Sequence, residues 1–281
     1  MKVLITGAGG MVGTASVKYC ESIDDETIGA RREMLDIADR ASCLAFLRAH
    51  RPDAVINCAA YTNVDGAETN AEAARAANVA GVENLALACR ESEARFLTIS
   101  TDYVFDGVFS GFYTQRHTPN PISVYGRTKL DGEIAARNAY SRSIIVRSGW
   151  IFGEGGTNFL SVIPQLIGEG KAITAIDDAY GTPTFAGDLA RRMRELIELD
   201  LPLTFHVANS GDGTTFAGFA ERVCEIGGYD KSLVEPISKD SLERPAPRPV
   251  SSKLSCLLSE RLGLDKMPLW SSSLKSSITR R

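Results

Sequence analysis

Tyr125 and Lys129 stand four residues apart in VYGRTKLDGE, a stretch of helical character, so a phenol and an ammonium share one helix face. A phenol with a pKa of about 10 is a poor acid–base group at neutral pH, and a neighbouring cation lowers it by favouring phenolate. A lysine so placed can also hold a ribose hydroxyl of a nicotinamide cofactor. An ordinary exposed helix pair would have the same spacing. Upstream, the strand-like run RFLTIS ends in Ser100-Thr101-Asp102-Tyr103, where an ordinary strand end calls for turn formers rather than two hydroxyls, a carboxylate and a phenol. Val104-Phe105 then reads as a plug into the core and Asp106-Gly107 as the turn.

A second chemical feature opens the chain. TGAGGMVG sets Gly7, Gly10 and Gly13 three apart, directly after a first strand, with Met11 and Val12 opening a helix. Glycines there permit a tight turn, let backbone approach a pyrophosphate, and aim a helix N-terminus at it. The alternative is a plain strand–turn–helix corner. The acid expected about 20 residues on, which would grip a ribose diol, is replaced by Ala30-Arg31-Arg32. Guanidiniums fork phosphate oxygens, so this end favours the 2′-phosphate of NADPH over NADH, with a solvated basic pair as the alternative. Asp36 is expected to border the adenine.

The elements that must position these groups alternate. KVLIT (Lys2–Thr6), ETIGA, DAVINCAA, RFLTIS and SIIVRSGW read as strands. Between them lie helical stretches at Met11–Ser22, Ala38–His50, the Ala-rich run NAEAARAANVAGVENLALACRESE and VYGRTKLDGEIAARN. Strands alternating with helices of ten or more residues predict an α/β fold, a Rossmann-type doubly wound parallel sheet. After Trp150 the pattern loosens, with helices at Ala186–Leu199 and FAGFAERVCEIGG, a short strand FHVAN and a Pro-rich passage. We expect residues 1–150 and 183–210 to bind dinucleotide, and 151–182 with 211–281 to make a smaller C-terminal substrate lobe.

Bulk properties narrow the function classes. The chain has 281 residues, 44% hydrophobic and 23% charged, with a net charge of −4 that offers no footprint for nucleic acid or an anionic membrane. No apolar run approaches the roughly 18 residues of a membrane span, and MKVLITGAGG is too short for a signal core, so a cytoplasmic location is expected. Six scattered cysteines show no CxxC pair, and three distant histidines give a zinc site little support. His117 reads as a solvated loop residue and His206 as a packed strand residue. Asp65 could touch a substrate or cap a helix, capping being the commoner role.

Together these motifs resemble the dTDP-4-dehydrorhamnose reductase family within the extended short-chain dehydrogenase/reductases. The matching runs are TGAGGMVG, DAVINCAAYTNVDGAE, ISTDYVFDG, PNPISVYGRTKLDGE, IIVRSGWIFG with TNFL, DDAYGTPTFAGDLA, HVANSG, Arg248–Leu254 and MPLW, in family order over nearly the whole chain. The resemblance implies reduction of the C4 ketone of a nucleotide-linked 6-deoxy-4-keto-L-sugar. It makes Tyr125 the proton donor, Lys129 the cation that lowers the phenol and binds ribose, and Thr101 the group that orients the oxygen. Ala60, Tyr61 and Thr62 would lie against the cofactor, and Thr101, Asp102 and Trp150 against the substrate. Gln115, Ala179 and Ser251 depart from the family pattern and bear on which sugar is taken. Some members hold a metal at a dimer interface, but the corresponding helix-one position is Ala15, so no metal is expected and a homodimer is left open.

Two other readings stand beside this one. A sugar-nucleotide dehydratase or epimerase would use the same scaffold with tightly held NAD, but a dehydratase commonly carries Thr-Asp-Glu where this chain has Tyr103 in third place. A non-catalytic role would resemble that of the regulatory subunit of methionine adenosyltransferase, which shares YVFDG- and KLDGE-like runs.

Overall fold

The computed structural model describes residues 1–279. Strand β1 (Lys2–Thr6) is buried from Val3 to Thr6 because helices cover both faces of its sheet. After it come α1 (Met11–Ser22), β2 (Glu26–Ala30), α2 (Arg40–His50), β3 (Ala54–Asn57) and α3 (Val64–Thr69). Helix α4 joins Ala71–Arg75 to Gly81–Ser92, and is followed by β4 (Arg95–Thr101), α5 (Val124–Ala139) and β5 (Ile144–Ser148). The C-terminal half adds α6 (Phe159–Gly168), α7 (Ala186–Leu199), β6 (Thr204–His206), α8 (Phe216–Gly227) and α9 (Trp270–Thr279).

The six strands form one parallel sheet in the order β6-β5-β4-β3-β1-β2. The chain winds outward in both directions from β1 and β3. Between their C-terminal ends lies the crevice where such sheets take ligands. Alternation along β1 divides the two cores: Leu4 packs with Leu47, Leu85 and Phe96 on one face, Val3 and Ile5 with Leu97, Leu189 and Met193 on the other. A third core, with Phe152, Leu160, Ile163, Phe219 and Val223, belongs to the smaller group of elements around α6 and α8.

Two expected helices differ in detail. Asp39 accepts the amides of Ala41 and Ser42, so α2 begins at Arg40 rather than Ala38. The Ala-rich run is not a uniform helix: a π-turn spans Ala76–Ala80. Asn78 lies in that turn, and a Cβ on Gly132 would come within 2.0 Å of its carbonyl oxygen, so α5 crosses here at backbone contact. Among the described residues, no helix is long and apolar enough to cross a membrane.

Candidate active site

Glycine geometry builds the first wall. Gly7 has φ +66°, and a Cβ there would lie 2.6 Å from the Ala59 amide nitrogen. A Cβ on Gly13 would lie 2.1 Å from the Gly7 carbonyl oxygen, while the Gly10 amide donates to that oxygen at 3.0 Å. No side chain caps α1, so its first-turn amides at Met11, Val12 and Gly13 face the cleft with the positive end of the helix dipole. This cradle fits the pyrophosphate of a dinucleotide. Arg32 and Asp36 border the same cleft and pair at 3.6 Å, whereas the Arg31 side chain lies alongside Gly9.

Ala60-Tyr61-Thr62 follows β3 and is held by two buried asparagines that sequence reading missed. Asn57 accepts from Thr6 Oγ1 at 2.6 Å and from the Ala59 amide at 3.1 Å, and donates to Thr98 Oγ1 at 3.0 Å. Asn78 accepts the Tyr61 amide at 2.9 Å and donates to the Tyr61 carbonyl at 3.1 Å and to Thr128 Oγ1 at 3.0 Å. The loop is thereby tied to α5, the helix that carries Tyr125.

Helix α5 starts at a defined place. Ser123 accepts the Gly126 amide at 3.1 Å, and Glu68 accepts the Val124 amide at 2.8 Å. A Cβ on Gly126 would lie 2.3 Å from the Tyr103 carbonyl oxygen, so the helix abuts the end of β4 and brings Tyr103 and Tyr125 edge to face, 6.0 Å between ring centres. Lys129 is buried and its Nζ donates to the Ile99 carbonyl at 2.8 Å. Burial lowers its ammonium to about 8, against the opposing pull of Glu133 and Cys58. Burial pushes the Tyr125 phenol up to about 12, partly offset by a hydrogen bond to the Thr101 side chain. The expected lowering of Tyr125 by Lys129 is thus not met: loss of hydration dominates, and the ammonium is turned to Ile99.

Thr101 Oγ1 donates to Asp102 Oδ1 at 3.0 Å, and Ser252 Oγ donates to Asp102 Oδ2. Burial raises the Asp102 carboxyl to about 6, opposed by those hydrogen bonds. A Cβ on Gly149 would lie 2.2 Å from that carboxyl carbon, so the residue before Trp150 must be glycine for Asp102 to fit. Trp150 holds a φ of +50° and stacks on Phe216 with ring centres 4.0 Å apart. Its indole lies against Gly181, where a Cβ would come within 2.0 Å. Val104 and Phe105 are fully buried behind the site, as the plug reading expects.

Three residues fall elsewhere. Asp65 does not cap α3, because Asn63 does so through the Gly66 amide. Instead Asp65 forks Arg248 at 3.0 and 2.8 Å and accepts the Ala246 amide, tying the Pro-rich passage to α3. His117 is not simply solvated: it packs on Phe109 and accepts the Thr114 amide at 3.0 Å. His206 is a buried strand residue, bonded through Nδ1 to the Tyr113 carbonyl and lowered to about 4 by burial.

Gly7, Gly10, Met11, Val12, Gly13, Asp36, the 60–62 loop, Thr101, Asp102, Tyr125, Lys129 and Trp150 all line one cleft of about 960 Å³. The loop Gly155–Leu160, which contains the TNFL run, lines it too, as does Phe216, which no motif singled out. Against known proteins, residues 1–281 match the family described as RmlD substrate binding domain. The chain belongs to this family. It is 36% identical over 283 residues to the dTDP-4-dehydrorhamnose reductase of Mycobacterium tuberculosis, covering 99% of this chain and 92% of the relative. It is 33% identical over 272 residues to a dTDP-4-keto-6-deoxy-D-glucose reductase of Streptomyces niveus, covering 96% and 94%. The crystal structure of the dTDP-4-dehydrorhamnose reductase of Bacillus anthracis, in complex with NADP, superposes with a TM-score of 0.95 at 31% identity over the whole of both chains.

Proposed function

We propose that this family member reduces the C4 ketone of a nucleotide-linked 6-deoxy-4-keto-L-sugar, converting dTDP-4-dehydrorhamnose to dTDP-L-rhamnose with NADPH. The observation that carries this is the convergence of Thr101, Tyr125 and Lys129 with an uncapped glycine-turn helix in one cleft. Gly7, Gly10, Met11, Val12 and Gly13 would hold the pyrophosphate. Arg31, Arg32 and Asp36 would meet the adenosine end, with Ala60, Tyr61, Thr62, Tyr125 and Lys129 along the nicotinamide ribose. Bound NADPH supplies the hydride. The reading places the cofactor on residues 1–150 with 183–210, and the sugar end on 151–182 with 211–281.

This chain's own groups then handle the oxygen. Tyr125, with its phenol pushed up to about 12, keeps its proton throughout the neutral range and donates it to the oxygen that becomes the product hydroxyl. The Lys129 ammonium opposes the charge left on the phenolate. Thr101, placed between Asp102 and the Tyr125 phenol, would orient the ketone oxygen beside that phenol. Asp102 with Ser252, and the Trp150 face, seat the sugar. Because Lys129 titrates at about 8, turnover is expected to fall as pH rises past that value.

The test is NADPH oxidation with dTDP-4-dehydrorhamnose. Tyr125→Phe, which keeps the ring and removes the proton, should lower kcat by at least about 100-fold, in line with loss of a general acid. No oxidation by the wild type, or undiminished turnover in Tyr125→Phe, refutes the proposal. The likeness to the Streptomyces niveus reductase makes dTDP-4-keto-6-deoxy-D-glucose the second substrate to run. A dehydratase would show no net oxidation. The Tyr103 phenol, raised by burial beyond Tyr125's own value, offers no carboxylate for elimination.

A further inference from the structure

Helix α5 carries Tyr125, Lys129 and Glu133 at four-residue intervals, so the three side chains follow one face. Tyr125 and Lys129 open on the cleft, whereas Glu133 lies a turn deeper, 6% exposed and outside the cleft lining. Its Oε1 accepts from Ser100 Oγ at 2.5 Å and Arg147 Nε at 2.9 Å, and its Oε2 from Arg147 Nη2 at 2.6 Å. Arg147 is the β5 residue in register with Ser100, and its guanidinium lies 5.3 Å from the centre of the Phe105 ring. A buried ion pair inside a covered sheet pays a heavy desolvation cost and is weak evidence of added stability. What surrounds it suggests a different use. Ser100 sits between Ile99, whose carbonyl accepts from Lys129, and Thr101, whose hydroxyl meets Tyr125.

We propose that Ser100, Glu133 and Arg147 form a buried positioning cluster for the Tyr125–Lys129 pair. Glu133 is the countercharge that keeps the Lys129 ammonium protonated. Arg147 limits how much of that charge Lys129 feels, and Ser100 passes the alignment to Ile99 and Thr101. The groups acting on Lys129 are Glu133 on its own helix and Cys58 just past β3, a thiol that burial keeps neutral, while Arg137, also on α5, faces Glu133 and Arg147. Asp102, after β4, faces Tyr125, and His206 pairs with Arg147 in the sheet ladder. Only the turnover readout rests on the reductase reading.

The cluster makes two predictions of opposite sign. In cofactor-free protein labelled with [ε-¹³C]lysine, the Lys129 resonance, assigned by its loss in Lys129→Arg, reports protonation directly. Glu133→Gln should move the midpoint down and Arg147→Met should move it up. Each shift should be on the order of one pH unit, a tenfold change in proton affinity, as a partly screened neighbouring charge gives. The alkaline limb of kcat/KM should follow in the same directions, which a merely structural role would not produce. The double variant Glu133→Gln/Arg147→Met leaves neither ion unpaired, and serves if a single variant fails to fold. Its midpoint should lie below the wild type, because Glu133 acts directly on Lys129 whereas Arg147 acts through its pairing with Glu133. Singles that shift Lys129 the same way or not at all, or a double variant with an unchanged midpoint, overturn the proposal. Absent turnover in wild type would instead refute the reductase reading and leave the titration result standing.

Discussion

Asp102→Asn is the most quantitative perturbation the site offers. Asp102 is 3% exposed, and burial raises its carboxyl from 3.8 to about 6. The native state therefore holds this proton more tightly than the unfolded chain does. Two pH units correspond to about 3 kcal/mol. The sign follows from linkage: below pH 3.8 the group is protonated in both states and costs nothing. As pH rises toward 6 the unfolded chain loses its proton first, so stability falls, and above that the cost stays constant. Asparagine has no such titration. It can still accept from one of Thr101 and Ser252 and donate to the other, so any lost hydrogen-bond strength is a pH-independent offset. Urea denaturation of both proteins at several pH values, plotted as the difference in unfolding free energy, isolates the slope. The variant should gain on the wild type by about 1–1.5 kcal/mol between pH 5 and pH 7.5, with the remainder below pH 5. A flat difference curve, or one falling with pH, would refute the claim that burial disfavours the ionised form of Asp102.

Other outcomes follow from the same contacts. Gly13→Ala drives a Cβ toward the Gly7 carbonyl, so it should destabilise by about 1–3 kcal/mol in thermal melts and weaken NADPH binding in a fluorescence titration. Asn78→Ala removes three hydrogen bonds joining the Tyr61 loop to Thr128 and should cost about 2–4 kcal/mol by chemical denaturation. Because burial lowers His206 from 6.5 to about 4, the wild type should lose stability as pH falls through that window, and His206→Phe should flatten the loss. Arg32→Ala should raise the Kd for NADPH more than that for NADH, measured side by side, and equal effects on both would argue against a 2′-phosphate contact.

Much of the sheet was legible because its signals are local. Lys2–Thr6, Met11–Ser22 and Ala186–Leu199 have the expected bounds, since a glycine turn or a change of period marks each edge. The π-turn at Ala76–Ala80 was not legible. Alanine-rich sequence is helical by propensity, and the departure is set by the crossing of α5 at Gly132. Asp65 shows the same limit: its local environment suits a cap, while its partner Arg248 lies 183 positions away.

By itself the sequence determined which groups can do chemistry here: a glycine turn that admits backbone to phosphate, a phenol and an ammonium one helical turn apart, and a hydroxyl–carboxylate strand end. Those follow from spacing along a chain whose helix and strand periods are known. Only the tertiary structure decided their electrical state. Removal of water raises Tyr125 and Asp102 and lowers Lys129, and brings Ser252, Asn78, Glu133 and Arg147 to bear from distant segments. Burial and long-range pairing are properties of the packed molecule, and no residue's neighbours in sequence encode them alone.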